Sequence, residues 1–335
     1  MVSAQVKNHG YSERLERATV DFGADAAFAR VPQKLKEHYG IEIPISAAQQ
    51  ITEKHGAEIL QFQSGNRKTE IPPALGVACV IAQLDGSMVP IVNTAEPSPE
   101  REKVDRRRTR QLEWQEARLA MAHEAGSVTP RFAATRGGVE EAGQQWLDCA
   151  LRAGVGTETF VHCVGDGAPW IFHQMELQFG TQARYLVDFS HLSEYLSAAA
   201  DSRAADSKKV WLQPQQQRLK ENRSDRVVDE LAGFLEREKP LSGEMPVTAC
   251  YRYIVNRPGQ FDYQGALAAG LPIGSGEIES GHRYVIQARL KIAGAWWKPD
   301  NAEKMLALRV LRANQDWDHY GKIETKKQPN SARQF

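Results

Sequence analysis

Apolar residues recur at helical spacing through the first 70 positions. A run over 31–38 stops at Tyr39-Gly40, a turn follows at Ile43-Pro44, and Ser46 can cap a second helix over 47–62. Two short helices about a tight connection predict either a helix-turn-helix or a helical hairpin packed on the next domain. At Pro72-Pro73 and Gly76 the pattern becomes extended. Residues 77–84 form a largely apolar run that predicts a buried strand, Asp85-Gly86 predicts a hairpin turn, and 88–92 predict the returning partner. A polar, Arg-rich excursion over 93–110 follows, and 114–122 fits a strand or a helix.

Beyond it, 140–153 predict an amphipathic helix ended by Gly154, and 157–164 a buried strand. Pro169 opens a helix that stops at Gly180, and 184–187 predict a fifth strand ending at Asp188. The order β-β-β-α-β-α-β predicts an α/β fold with a mixed five-stranded sheet flanked by helices. Residues 192–270 turn helical and polar, a predicted helical insertion, before Gly274-Ser275-Gly276 opens a late helix. The expected organisation is therefore a helical N-terminal region (1–70), a core (76–191), the insertion (192–270), the final core helices (271–320) and a flexible tail (321–335).

Three acidic residues stand by a glycine or a Gly-Ser-Gly turn at the ends of these elements: Asp85 and Asp166 after predicted strands, and Glu279 at the start of the late helix. If the strands are neighbours, the carboxylates meet at one end of the sheet, and the helix can bring Glu279 to them. Carboxylates and water suit magnesium or manganese. Two such ions about 3.5–4 Å apart can activate a water or hydroxyl and stabilise the leaving oxygen of a phosphodiester. Each acid also has a plain structural reading: Asp85 as a turn residue, Asp166 as a cap for the Pro169 helix, and Glu279 as the i,i+4 partner of Arg283. Glu277 competes with Glu279. Two residues apart on a helix they diverge by roughly 200°, so only one can face the ions. Asp188 and His191 suit either a role beside the scissile phosphate or a helix cap with a satisfied imidazole.

Charge adds little in bulk, since 42 basic residues balance 42 acidic ones. Locally, 101–110 hold six basic and two acidic residues, Arg106, Arg107 and Arg108 among them, and 281–335 hold eleven basic and five acidic. These stretches suit either backbone phosphates or plain solvation. Cys79, Cys149, Cys163 and Cys250 lack the short spacing of a zinc clamp or redox pair. No apolar run approaches the roughly 18–20 residues that span a membrane, and residues 1–7 lack an apolar signal core, so a cytoplasmic protein is expected. Two acids working without a metal would suit a glycosidase, but no aromatic-rich sugar cleft is evident.

Four segments in order carry a family likeness. They are Gly165-Asp166-Gly167-Ala168-Pro169-Trp170; Leu186-Val187-Asp188-Phe189-Ser190-His191; Leu271-Pro272-Ile273-Gly274-Ser275-Gly276 leading into Glu279-Ser280; and Arg289-Leu290-Lys291 with Gly294, Trp297 and Leu306-Ala307-Leu308-Arg309 beyond. Over residues 76–316 the chain resembles DDE transposases with a ribonuclease H-like core, specifically bacterial insertion-sequence transposases of the Kra type. The resemblance implies Asp85, Asp166 and Glu279 as catalytic acids holding two Mg2+ or Mn2+ ions, with Asp188 and His191 as auxiliaries. It implies cleavage and strand transfer of transposon-end DNA, a nucleoid-associated location and a homo-oligomer that processes two ends together. Arg106, Arg107, Arg108, Arg283, Arg289 and Lys291 are the expected phosphate contacts, and His282 lies with the last three on or just beyond the Glu279 helix, where a solvated helix face is the alternative. Trp297 is the candidate for stacking on a base, with a core role as its alternative.

Overall fold

Strand β1 (Cys79–Asn93) is the spine of the molecule, and its length is the first departure from the sequence pattern. In this computed structural model, which describes residues 10–94, 109–204, 207–235 and 245–321, the chain does not turn at Asp85-Gly86. Instead β1 runs on, antiparallel to β2 (Gln111–Glu124), with Asp85 opposite Leu119 and Gly86 opposite Arg118. An Asp-Gly pair makes a hairpin only when the segments flanking it pair with each other. Here both flanks have a better partner: pairing with β2 extends from Val80 to Asn93 and buries Val89 and Ile91 as well as Val80 and Leu84. The ambiguous 114–122 segment is thus a strand. The third strand, β3 (Arg131–Thr135), carries no clear strand signal in the sequence, because its five residues begin with Arg and show no clean alternation.

The remaining elements follow in the expected order: α4 (Val139–Arg152), β4 (Phe160–Gly165), α5 (Pro169–Phe179) and β5 (Ala183–Val187). The sheet order is β3-β2-β1-β4-β5. Strand β2 is antiparallel to its neighbours, while β1, β4 and β5 are mutually parallel. Five strands are expected and five are present among the described residues, but the first two expected strands merge into one and β3 supplies the difference.

Alternation along the strands divides the core between two faces. Val80, Ala82 and Leu84 of β1, with Ala120 and Ala122 of β2, pack in one cluster with α4 and α5, where Trp146 meets Phe179 edge to face at 5.2 Å. Val89, Ile91, Leu119 and Met121 point the other way. That second face is covered by α1 (Glu13–Asp25), α3 (Ile45–Gly65), the helical turns that follow α11 (Gly276–Gly281), and α13 (Pro299–Ala313). Between α1 and α3 lies α2 (Val31–Tyr39), closed by Gly40 at φ 67°.

The N-terminal helices are tied into this body. Gln63 Nε2 donates to the Ala307 carbonyl at 3.0 Å, and His55 Nδ1 lies 3.2 Å from the Tyr320 hydroxyl. Helix α3 thus lays one side along α13. Between β5 and the last helices, α6 (Phe189–Ala204), α7 (Lys208–Lys220), α8 (Ser224–Ala232), α9 (Pro246–Val255) and α10 (Tyr263–Ala268) fill the region read as a helical insertion. None of the described helices is long and apolar enough to cross a membrane.

Candidate active site

Strands β1 and β4 pair in parallel up to Gln83 opposite Val164, so two residues further along each chain Asp85 and Asp166 arrive at the same edge of the sheet. Strand β5, parallel to β4, ends beside them at Asp188. Helix α11 crosses this edge, and Asp85, Asp166, Asp188, His191, Ser275 and Glu279 line one cleft of about 210 Å³. Asp85, Asp166 and Glu279 are far apart in sequence; the parallel half of the sheet brings the two aspartates to one opening, and α11 brings Glu279.

Each carboxylate is differently committed. Asp85 Oδ1 accepts from the Gly86 amide at 2.7 Å, and Oδ2 lies 3.2 Å from His282 Nε2. Asp166 Oδ1 accepts from the Ala168 amide at 2.7 Å, turning the chain into α5, while its other oxygen has no hydrogen-bond partner among the described residues. Glu279 is exposed, and its carboxylate makes no hydrogen bond or ion pair among the described residues, the Arg283 pairing included.

Glu277 is separated from Glu279 as the helical geometry requires. Its carboxylate accepts from His123 Nε2 at 3.1 Å and from Gln83 Nε2 at 3.3 Å, and it faces a different cavity. The hydrogen bond to Glu277 raises the His123 imidazole above its usual value against the opposing effect of burial. A histidine raised in the fold contributes stability that is complete below its unfolded pKa, about 6.5, and lost as pH rises through the folded value. Denaturant titrations from pH 5 to 9 are therefore expected to show a small alkaline loss, under about 1 kcal/mol because Glu277 is half exposed, that Glu277→Gln removes.

Asp188 is a brace. It is 1% exposed. Oδ1 accepts from the Ser190 amide and hydroxyl, both at 2.5 Å, and from the His191 amide at 3.2 Å, which caps α6. Oδ2 accepts from the Ser275 amide at 2.8 Å and from the Ser275 hydroxyl, which fixes the Gly-Ser-Gly turn to the end of β5. Burial pushes this carboxyl up, but the donors around it outweigh burial and hold it below the usual carboxylate value. The same turn is stitched elsewhere too. His162 Nε2 donates to the Pro272 carbonyl at 2.8 Å, the Phe189 amide to Ile273 at 2.9 Å, and the Ile278 amide to Gln83 Oε1 at 2.9 Å. Burial lowers the His162 pKa, so it stays neutral as a donor. His191 is half-buried, edge-on to Tyr195 and Tyr253 with centroids 5.5 and 5.8 Å away.

Helix α9 supports the Asp166 loop from the insertion. Tyr253 Oη donates to the Asp166 carbonyl at 2.5 Å, and Arg257, just beyond the helix, donates through Nε to the Gly167 carbonyl at 2.8 Å. Gly167 sits at φ 81°, and a Cβ there would lie 2.6 Å from Arg257 Nε and 2.8 Å from Tyr253 Oη, so the loop admits only glycine without displacing its supports. Tyr253→Phe keeps the ring and removes one donor. A stability loss of about 1 kcal/mol by denaturant titration is expected. Neither residue stands out in the sequence, since each is almost 90 positions from the loop it holds. Gln83 had a readable signal, a polar residue inside an apolar run two positions before Asp85.

The expected DNA contacts divide. Arg283 and Lys291 are exposed, with no side-chain partner among the described residues. Arg106, Arg107 and Arg108 lie outside the described residues. Arg289 and Trp297 are corrected: both are core. Arg289 is 2% exposed, donates to the Gly23 carbonyl at 2.9 Å and lies between the Phe28 and Trp297 rings, 4.9 and 4.7 Å from their centroids. Burial lowers its pKa to about 10, and its charge serves to hold α1 against the last helices. Trp297 is also buried and donates to the Leu290 carbonyl at 3.1 Å. Its neighbour Trp296 is the one turned outward, with the Arg110 guanidinium 5.9 Å from its ring.

The sequence matches no known protein-family model and no curated protein. Among the described residues there is no group of three or more His, Cys, Asp or Glu side chains able to hold a metal ion as they stand.

Proposed function

We propose that the protein is a DDE-type transposase with a ribonuclease H-like core, which cuts transposon-end DNA and joins the freed 3′ end to target DNA. The observation that carries this reading is the convergence of Asp85, Asp166 and Glu279 on one cleft, from β1, the end of β4 and α11. A mixed five-stranded sheet flanked by helices is compatible with that core.

The donor set suits a hard divalent cation. All three side chains offer carboxylate oxygens, Asp166 has one oxygen uncommitted and the Glu279 carboxylate is wholly so. Asp85, Asp166 and Glu279 would hold Mg2+ or Mn2+, with Glu279, the exposed and unpaired member, drawn in as the last ligand. When bound, such ions supply Lewis acidity at the attacking and leaving oxygens. The chain's own part is to fix the ligands: Asp85 and Asp166 by strand pairing, Glu279 by the turn that Asp188 and Gln83 hold. Water would attack the phosphorus as the bond to the 3′ oxygen breaks. The resulting 3′-hydroxyl would attack a target phosphodiester in the same way, one ester bond exchanged for another. Arg283 and Lys291 would take backbone phosphates, so DNA binding should weaken steeply with salt. The protein would work in the cytoplasm on the nucleoid, as a homo-oligomer holding two ends.

The test is nicking of DNA from the two flanks of its own coding sequence, with Mg2+ or Mn2+ and with chelator. Cleavage at an inverted repeat that chelator abolishes supports the reading, and chelator-resistant cleavage contradicts it. A second reading, a DNA-binding relic of a transposase, is favoured by the absence of a ready three-ligand group among the described residues. It predicts DNA binding without cation binding, unchanged by Asp166→Asn.

A further inference from the structure

His282 follows Glu279 by three residues, on the same side of the helix, and opens a six-residue π-helical segment (His282–Gln287) that continues α11 toward α12 (Ala288–Leu290). Such segments are rare and concentrate at functional sites. The side chain is 4% exposed. Nε2 lies 3.2 Å from Asp85 Oδ2, within ion-pair reach, yet it is not aligned for a hydrogen bond, and neither ring nitrogen has a hydrogen-bond partner among the described residues. A buried polar side chain left in that state is costly and calls for an explanation.

We propose that His282 is the positioning residue for Asp85, bonding the carboxylate as it takes up a divalent cation. This rests on the metal-dependent reading above. Asp85 has two oxygens and two neighbouring donors. The Gly86 amide already holds Oδ1 at 2.7 Å, and His282 faces Oδ2. A small rotation of the carboxylate or the ring brings Nε2–H onto Oδ2. The carboxylate plane is then fixed from both sides, and the remaining lone pairs are turned to the cleft. The carboxylate in return selects the tautomer with the proton on Nε2. Partners of this kind orient the ligands of metal sites, and their loss typically costs 10–100-fold in metal affinity. His282 itself has no exposed edge with which to meet DNA. Its place one turn after Glu279 therefore serves Asp85.

The experiment is calorimetric titration of Mn2+ into the full-length protein and four variants, with thermal melts of each. His282→Leu removes the donor. His282→Asn keeps a polar side chain but ends short of the Nε2 position, which guards against a folding defect in the leucine variant. His282→Gln reaches that position with an amide donor. Asp85→Asn removes the ligand. The expected result is Mn2+ affinity weakened about 10-fold or more in the leucine and asparagine variants, restored to within about threefold in the glutamine variant, and lost in Asp85→Asn. Wild-type affinity in both His282→Leu and His282→Asn, with binding still lost in Asp85→Asn, would overturn the role of His282 and leave the metal site standing. Absence of Mn2+ binding by the wild type, or unchanged binding by Asp85→Asn, would overturn both.

Discussion

Asp166→Asn is expected to reduce cation-dependent nicking of end DNA by more than about 100-fold while leaving the melting temperature near that of the wild type. The magnitude follows from comparison: losing a residue that only orients a ligand costs 10–100-fold, so losing a ligand should cost more. Stability should be spared because the side-chain carbonyl of asparagine can still accept from the Ala168 amide, the one hydrogen bond that the Asp166 side chain makes to the loop. The loop is also held from outside through its carbonyls by Tyr253 and Arg257, and the substitution leaves those untouched. Nicking assays in Mg2+ and Mn2+, paired with melts, check both halves. Equal nicking by the two proteins would remove Asp166 from the chemistry.

Asp188→Ala should be the most damaging single change to the site's architecture. It strands the amides of Ser190, His191 and Ser275 and both serine hydroxyls at a position 1% exposed, and it removes the cap of α6 together with the tie to the Gly-Ser-Gly turn. A loss of about 3 kcal/mol is expected by denaturant titration. Nicking should fall as well, because Glu279 follows that turn directly. The charge has its own signature. A carboxyl held below its usual value contributes stability that is complete above its unfolded pKa, about 3.9, and lost as pH falls through the folded one. Asp188→Asn should therefore be less stable than the wild type at neutral pH and show a shallower loss as pH falls below about 4.

Much of this was legible in the sequence because local signals and tertiary structure agreed there. Pro169 opens α5, Gly154 follows α4, and apolar runs became β4 and β5. Asp85-Gly86 misled because a turn signal is local, whereas the pairing that overrode it belongs to β2, more than 30 residues away. The placement of Asp85 beside Asp166 survived that error: the edge they share is set by where β4 ends, not by where β1 ends. Arg289 and Trp297 misled in the opposite direction. Charge and aromatic area suggest a surface for DNA, and nothing local reveals that Gly23 and Phe28 enclose the guanidinium. Asp188 was legible as a helix cap, but its second half, the Ser275 tie, joins residues 87 positions apart. The supports from α9 were beyond reach for the same reason.

A cation site shared by the three acids can be located by anomalous diffraction from Mn2+ in crystals of the protein bound to cleaved end DNA. Two peaks about 3.5–4 Å apart are expected, with Asp85, Asp166 and Glu279 all within bonding distance of one or the other. A DNA-bound structure at saturating Mn2+ with no peak in this cleft, or with Glu279 beyond bonding distance of both ions, would contradict the shared site.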